Sequence, residues 1–246
     1  MPFDLWTRTS GTWINILTVL LGTSLGLLLH NRLPTRMQRI LTQGIGLLTI
    51  WIGLGMANQL GKAQVSRVDG AILGLLAITI GGVLGEWWRI EDRLTHLGEW
   101  LKARFRGKGR FTEGFVAASL LFCVGPMTLL GCLNNGLTGD AALLTIKASM
   151  DGIAAIAFSS TYGIGVGFSS LVILIFQGGL SLAAGALAVV LPNPATDPRV
   201  MLITGVGGLM VIAVGLNLLE VAKIRVGSFL PALAIAPIFS WFASLI

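Results

Sequence analysis

The chain has 246 residues, of which 54% are hydrophobic and only 11% charged. Soluble domains carry about 25% charged residues, so a water-soluble fold is excluded and an integral membrane protein is expected. The net charge of +6 comes from basic residues lying between apolar runs, a positive-inside pattern that argues against nucleic-acid binding.

Eight apolar segments follow one another. The first runs from Thr12 to Leu29 and is read as a retained helix, because no basic leader or A-x-A cleavage signal accompanies it. The second and third are Ile40–Leu60 and Val68–Gly85, followed by a charged stretch from Glu86 to Arg110. There Ile90, Leu94, Leu97, Leu101 and Phe105 fall at helical spacing. They predict an amphipathic helix on the cytoplasmic surface, with Lys102–Arg110 facing anionic headgroups. Phe111–Leu133 is the fourth segment and Asp140–Tyr162 the fifth. Gly165–Leu191, Val200–Leu219 and Val226–Ile246 complete the set. Spans of about 18–25 residues suit a hydrocarbon core about 30 Å thick.

Counting Lys and Arg on the connecting loops gives twelve on one side and four on the other, which predicts both termini outside. Trp51, Trp87, Trp88 and Trp100 are candidates for interfacial anchoring. Segments one to three echo segments six to eight: GTWINILTVLLGTSLG over GFSSLVILIFQGGLSL, QGIGLLTIWIGLG over TGVGGLMVIAVGL, and RVDGAILGLLAI over RVGSFLPALAIA. Five spans separate the two starts, so the second unit has inverted orientation, a construction found in secondary transporters. The fold class expected is therefore an all-α polytopic membrane protein in one transmembrane domain. Repeat one covers 11–88, the basic segment 89–110, an inserted helix pair 111–162 and repeat two 163–246.

The fifth segment contains Lys147 and Asp151. A lysine at the bilayer centre costs roughly 2.5–3.5 kcal/mol on insertion scales. The two residues are about 40° apart on one helical face, and Asp140 and Tyr162 lie near the same line. An intramembrane charge with a nearby counter-charge is a functional-site candidate, the alternative being a neutralised structural pair. Asn15, on a small and polar stripe with Thr18, Gly22 and Gly26, and the amides Gln177 and Asn217 are candidate supporting ligands. Gly125–Pro126 predicts a broken helix, and Gly163, Gly165 and Gly167 a second irregular stretch; together they are expected to shape a cavity.

Other features carry less. Asn134 and Asn135 are explained by turn chemistry, Glu86 and Glu220 by solvated helix ends, and His30 and His96 by the interface. Cys123 and Cys132 fall on opposite faces of one segment, so no disulfide is expected. TYGIGVG differs in residue order from a potassium-channel filter and joins two full spans. No metal-ligand spacing, phosphate loop or hydrolase motif occurs, so neither enzymatic activity nor a cofactor is expected.

The runs EGFVAASLLFCVGPMTLLGCLNNGLTGD, IKASMDGIAAIAFSSTYGIGVGFS and LITGVGGLMVIAVGLNLLEVAKIRVGSFLPAL cover much of the chain. They resemble the YdfK/YqgA-type bacterial inner-membrane proteins, a family catalogued as a domain of unknown function and in places labelled as transport proteins. That resemblance implies a bacterial inner-membrane location and supplies no substrate. Taken together, the expectation is a transporter or conduit for an ion or small polar solute, surrounded by membrane lipids and forming a homo-oligomer, with a dimer favoured. The rivals are an ion channel and a non-transporting scaffold or lipid-interacting protein.

Overall fold

The computed structural model describes residues 4–30, 34–66, 68–104, 111–123, 126–186 and 196–244. Its elements are α1 (Leu5–His30), α2 (Thr35–Ala57), β1 (Gln64–Val65), β2 (Val68–Asp69), α3 (Gly70–Trp87), α4 (Ile90–Arg104), α5 (Phe111–Cys123) and α6 (Pro126–Thr138). Then come α7 (Ala142–Tyr162), α8 (Gly165–Leu182), α9 (Pro198–Leu218), a 3₁₀ turn at Val226–Phe229 and α10 (Leu230–Ala243). Among the described residues, six helical spans are long and apolar enough to cross a bilayer, or seven if the bent pair α5–α6 counts as one. The apolar part of α2, Thr42–Ala57, is shorter. The eight expected apolar segments fall on these helices, though fewer than eight qualify as spans among the described residues, and two of the segments differ in form.

The fourth segment is not one continuous helix: α5 and α6 meet at 62°. The sixth is interrupted after Leu182 by a turn at Ala183, where Arg8 takes the Leu182 carbonyl; residues 184–186 are helical again, and 187–195 lie outside the described residues. A two-stranded antiparallel ribbon, β1 with β2, also enters the otherwise helical fold. It delivers Asp69 to cap α3 by accepting the Ala71 amide at 2.7 Å.

By contacts the chain groups into two compact units, Met1–Thr42 with Gly98–Pro194 and Gln43–Leu97 with Ala195–Ile246. In the first, α1 lies along α7. Gly11 abuts Leu144 at one end and Gly26 abuts Ser159 at the other, so the two helices run parallel. They approach at backbone distance: a Cβ on Gly22 would lie 2.2 Å from the Gly152 carbonyl oxygen, and one on Gly26 2.3 Å from that of Ile156. This small-residue seam brings backbones together where lipid supplies no hydrophobic drive. Helix α8 crosses α1 antiparallel, since Asn15 meets Gln177 while Thr23 meets Gly167.

In the second unit a core of Leu60, Leu73, Ala77, Leu202, Val206, Ala232 and Ala236 joins α3, α9 and α10. Glu86, expected to be a solvated helix end, instead pairs with Arg225 at 2.7 Å and accepts the Ser228 hydroxyl at 3.0 Å. Arg225 also pairs with Asp92, and Glu91 accepts the Gly227 amide at 2.6 Å. These contacts tie the start of α4 to the 3₁₀ turn. The helical part of the predicted amphipathic segment is present as α4; residues 105–110 lie outside the described residues. Trp51, Trp87, Trp88 and Trp100 are all exposed, as interfacial side chains would be.

A buried ion pair at a broken helix

Asp151 and Lys147 sit near the middle of α7, one turn apart on the face turned toward α1, α5 and α8. Both are buried, retaining 6% and 7% of their surface. The Lys147 ammonium pairs with Asp151 Oδ2 and donates to the Phe122 carbonyl at 2.6 Å. The same carboxylate oxygen accepts Asn15 Nδ2 at 3.0 Å, and that amide nitrogen also donates to Gln177 Oε1 at 3.2 Å. Asn15 and Gln177 are wholly buried. Four of the expected site residues thus form one network across three helices.

The Phe122 contact explains why a lysine is tolerated here. Phe122 lies in the last turn of α5, whose terminal carbonyls have no intrahelical partner. A cation at a helix carboxyl end is favoured by the helix dipole. Helix α5 begins beside Gly165, and α6 ends beside Gly11 and Arg8. The break between them therefore falls at the level of Lys147, whose ammonium caps it. An unsatisfied carbonyl at that depth would cost several kcal/mol.

A second polar cluster closes the Arg8 end of this unit. Arg8 donates to the carbonyls of Gly136 and Leu182, both at 3.0 Å, capping the carboxyl ends of α6 and α8. Asn135, assigned from the sequence to turn chemistry, is fully buried. It accepts the Gly11 amide at 3.1 Å and donates to the Thr7 carbonyl and Ser10 hydroxyl, each at 3.0 Å. Between the two clusters several buried polar atoms have no hydrogen-bond partner among the described residues. They are Thr12 Oγ1 and Asn15 Oδ1 on α1, Thr128 Oγ1 on α6, and Gln177 Nε2 and Ser181 Oγ on α8. Thr23 Oγ1 is a further such atom, two turns beyond Asn15 along α1.

The remaining expected site residues do not join the network. Asn217 belongs to the other unit and holds a loop: its Nδ2 donates to the Ile224 carbonyl and its Oδ1 accepts the Ile224 amide, both at 2.8 Å. Tyr162 lies eleven residues beyond Asp151 on α7, about 16 Å along the axis at 1.5 Å per residue, its ring tilted against Phe158 with centroids 5.9 Å apart. Gly163 ends α7 with φ at 81°, a conformation glycine adopts without strain. Gly165 and Gly167 serve contact, not cavity: a Cβ on Gly165 would lie 2.1 Å from the Phe111 carbonyl oxygen, and one on Gly167 would touch Thr23. Gly125 lies outside the described residues, and Pro126 opens α6 at a position where its missing N–H costs little.

The sequence did not mark Thr12, Thr128, Ser181, Arg8 or the Phe122 carbonyl as site groups, and it assigned Asn135 to a turn. Two of them were within reach of it: Thr12 is one turn from Asn15 and Ser181 one turn from Gln177, on the faces those amides already mark.

The helical architecture, the long apolar spans and the buried network define a polytopic α-helical membrane protein. Within that class, the chain belongs to the family described as protein of unknown function DUF554, whose model matches residues 10–241. It is 29% identical over 228 residues to the uncharacterized membrane protein YdfK of Bacillus subtilis (strain 168), covering 93% of this chain and 94% of that protein. It is 32% identical over 245 residues to the uncharacterized protein YqgA of Escherichia coli (strain K12), covering 95% and 99% respectively. No solved structure matches.

Proposed function

We propose that this protein is a transporter or conduit for an ion or small polar solute, with its site at Lys147, Asp151, Asn15 and Gln177. The observation that carries the reading is a charged and amide network buried within three spans, beside polar atoms without a partner among the described residues. Apolar side chains of similar size would hold these helices together without desolvating two charges. Intramembrane ionisable groups that are retained mark pathways. The antiparallel crossing of α1 and α8, the first helices of the two echoing segments, supports an inverted repeat. The distribution of Lys and Arg supports insertion in a bacterial inner membrane with both termini outside.

The bond from Lys147 to the Phe122 carbonyl favours a second reading, in which the pair only clamps the broken helix. Flux into proteoliposomes from a panel of ions and small solutes separates the two. Transport predicts protein-dependent flux that Lys147→Met with Asp151→Leu abolishes while the protein stays folded. Background flux for every member of the panel refutes it and leaves the clamp. Saturable, counter-substrate-stimulated exchange identifies a carrier; single-channel current identifies a channel.

A further inference from the structure

Five polar atoms between the ion pair and the Arg8 end, on Thr12, Asn15, Thr128, Gln177 and Ser181, lack partners among the described residues, and their side chains are wholly buried. They do not lie scattered. Thr12 and Asn15 share one face of α1, Gln177 and Ser181 one face of α8, and the two faces meet where Asn15 bonds Gln177 at 3.2 Å. The Thr12 methyl group also reaches the α8 backbone, 3.9 Å from where a Cβ on Gly178 would be. Ser181 stands against the thiol of Cys132, one turn along α6 from Thr128, which gives its hydroxyl at most a weak sulfur partner. Protein interiors leave few buried polar groups unmatched, and leaving a hydroxyl or amide unpaired costs about 1–3 kcal/mol by protein mutational data. A row of five on facing helices is a lining for something that forms hydrogen bonds.

Charge selects what that something is. Lys147 and Asp151 neutralise one another, and Arg8 is held by two carbonyls. An added cation would therefore enter this low-dielectric region without a counter-charge, at a cost of several kcal/mol, and an anion would find only Arg8 at the edge, its donors already held by carbonyls. The row itself offers both senses of hydrogen bond: Gln177 Nε2 donates, Asn15 Oδ1 accepts, and the three hydroxyls do either. Toward the other end, α1 and α7 close at backbone distance along Gly22 and Gly26, so the polar row leads from the Arg8 end. Resting on the conduit reading above, we infer that the row binds a small uncharged molecule that both donates and accepts hydrogen bonds, either water or a solute of the size of urea or formamide. The row passes that molecule in preference to ions.

Stopped-flow light scattering on proteoliposomes tests this, with an impermeant sucrose gradient for water and inward gradients of urea, formamide and glycerol for solutes. Sodium, potassium and chloride flux is measured on the same vesicles. At least one neutral probe is expected to permeate several-fold faster than in protein-free vesicles, with ions at background. Asn15→Leu with Gln177→Leu should return that rate to background, and the milder Ser181→Ala should lower it while leaving the fold intact. Acceleration of water alone, or of one solute, says which source of the shared chemistry is carried. Ion flux with neutral probes at background overturns the inference and leaves the conduit reading standing; every probe at background overturns both.

Discussion

Removing the Lys147 ammonium while keeping most of its volume, as Lys147→Met does, strips Asp151 of its counter-charge and the Phe122 carbonyl of its donor. Breaking a buried pair by deleting one partner costs roughly 3–5 kcal/mol, because the surviving charge has no compensation. The freed carbonyl adds about 1–3 kcal/mol. Asn15 still donates to Asp151 at 3.0 Å, which offsets part of the first loss. A net destabilisation of about 4 kcal/mol follows, enough to unfold many marginal proteins. Replacing both residues, Lys147→Met with Asp151→Leu, removes the orphan charge and should recover about 3 kcal/mol of that loss, leaving mainly the uncapped carbonyl. Thermal or denaturant unfolding in detergent, run on wild type, both single variants and the double variant, gives the coupling energy directly. A coupling below about 0.5 kcal/mol, the scatter of independent sites, would refute the argument that each charge is held in place by the other.

Two further predictions address the helix ends and the seam. A methyl group at Gly22 would lie 2.2 Å from the Gly152 carbonyl oxygen, a contact backbone cannot relax. Gly22→Ala should therefore cost about 1–3 kcal/mol, in the range of overpacked cores, whereas Gly44→Ala, inside α2 with open space around it, should be neutral or stabilising by up to about 1 kcal/mol in the same unfolding assay. Asp197 caps α9 by accepting the Arg199 amide at 2.8 Å and pairs with the Arg199 guanidinium at 2.7 Å. Burial pushes its carboxyl upward, but hydrogen bonds from Arg199 outweigh this and hold it below the usual carboxylate range. A depressed carboxyl contributes stability above its unfolded value near 3.9 and loses it as pH falls through the folded value. Asp197→Asn, which keeps a capping oxygen, should be destabilising at neutral pH and indistinguishable from wild type once pH drops below the folded value. A difference that stays constant with pH would refute the charge argument.

Much of the helical layout was legible because apolar runs of bilayer length leave few alternatives, and Lys147 and Asp151 announce themselves by type and spacing alone. Asn15 and Gln177 were reachable as amides within spans. Asn217 looked the same in sequence and differs only in position, the penultimate residue of its helix, where its side chain closes a loop on Ile224. The Phe122 carbonyl could not be read at all, since every residue carries one and only the break makes this one matter. Gly165 and Gly167 suggested open space through their lack of side chains, yet in a helix bundle the same lack brings backbones together. Asn135 was assigned to a turn because its neighbours are turn formers; its burial follows from α6 ending against α1.

The seam between α1 and α7 has a mechanical consequence. Where two backbones touch through glycine, no rotamer is available to absorb a slide, so Gly22 on Gly152 and Gly26 on Ile156 lock the pair into a single beam. Asn15 is bolted to that beam on one side and Asp151 on the other, and their separation is fixed for as long as it holds. Any motion that exposes the ion pair must then come from α5 or from α8, each moving against a stationary support.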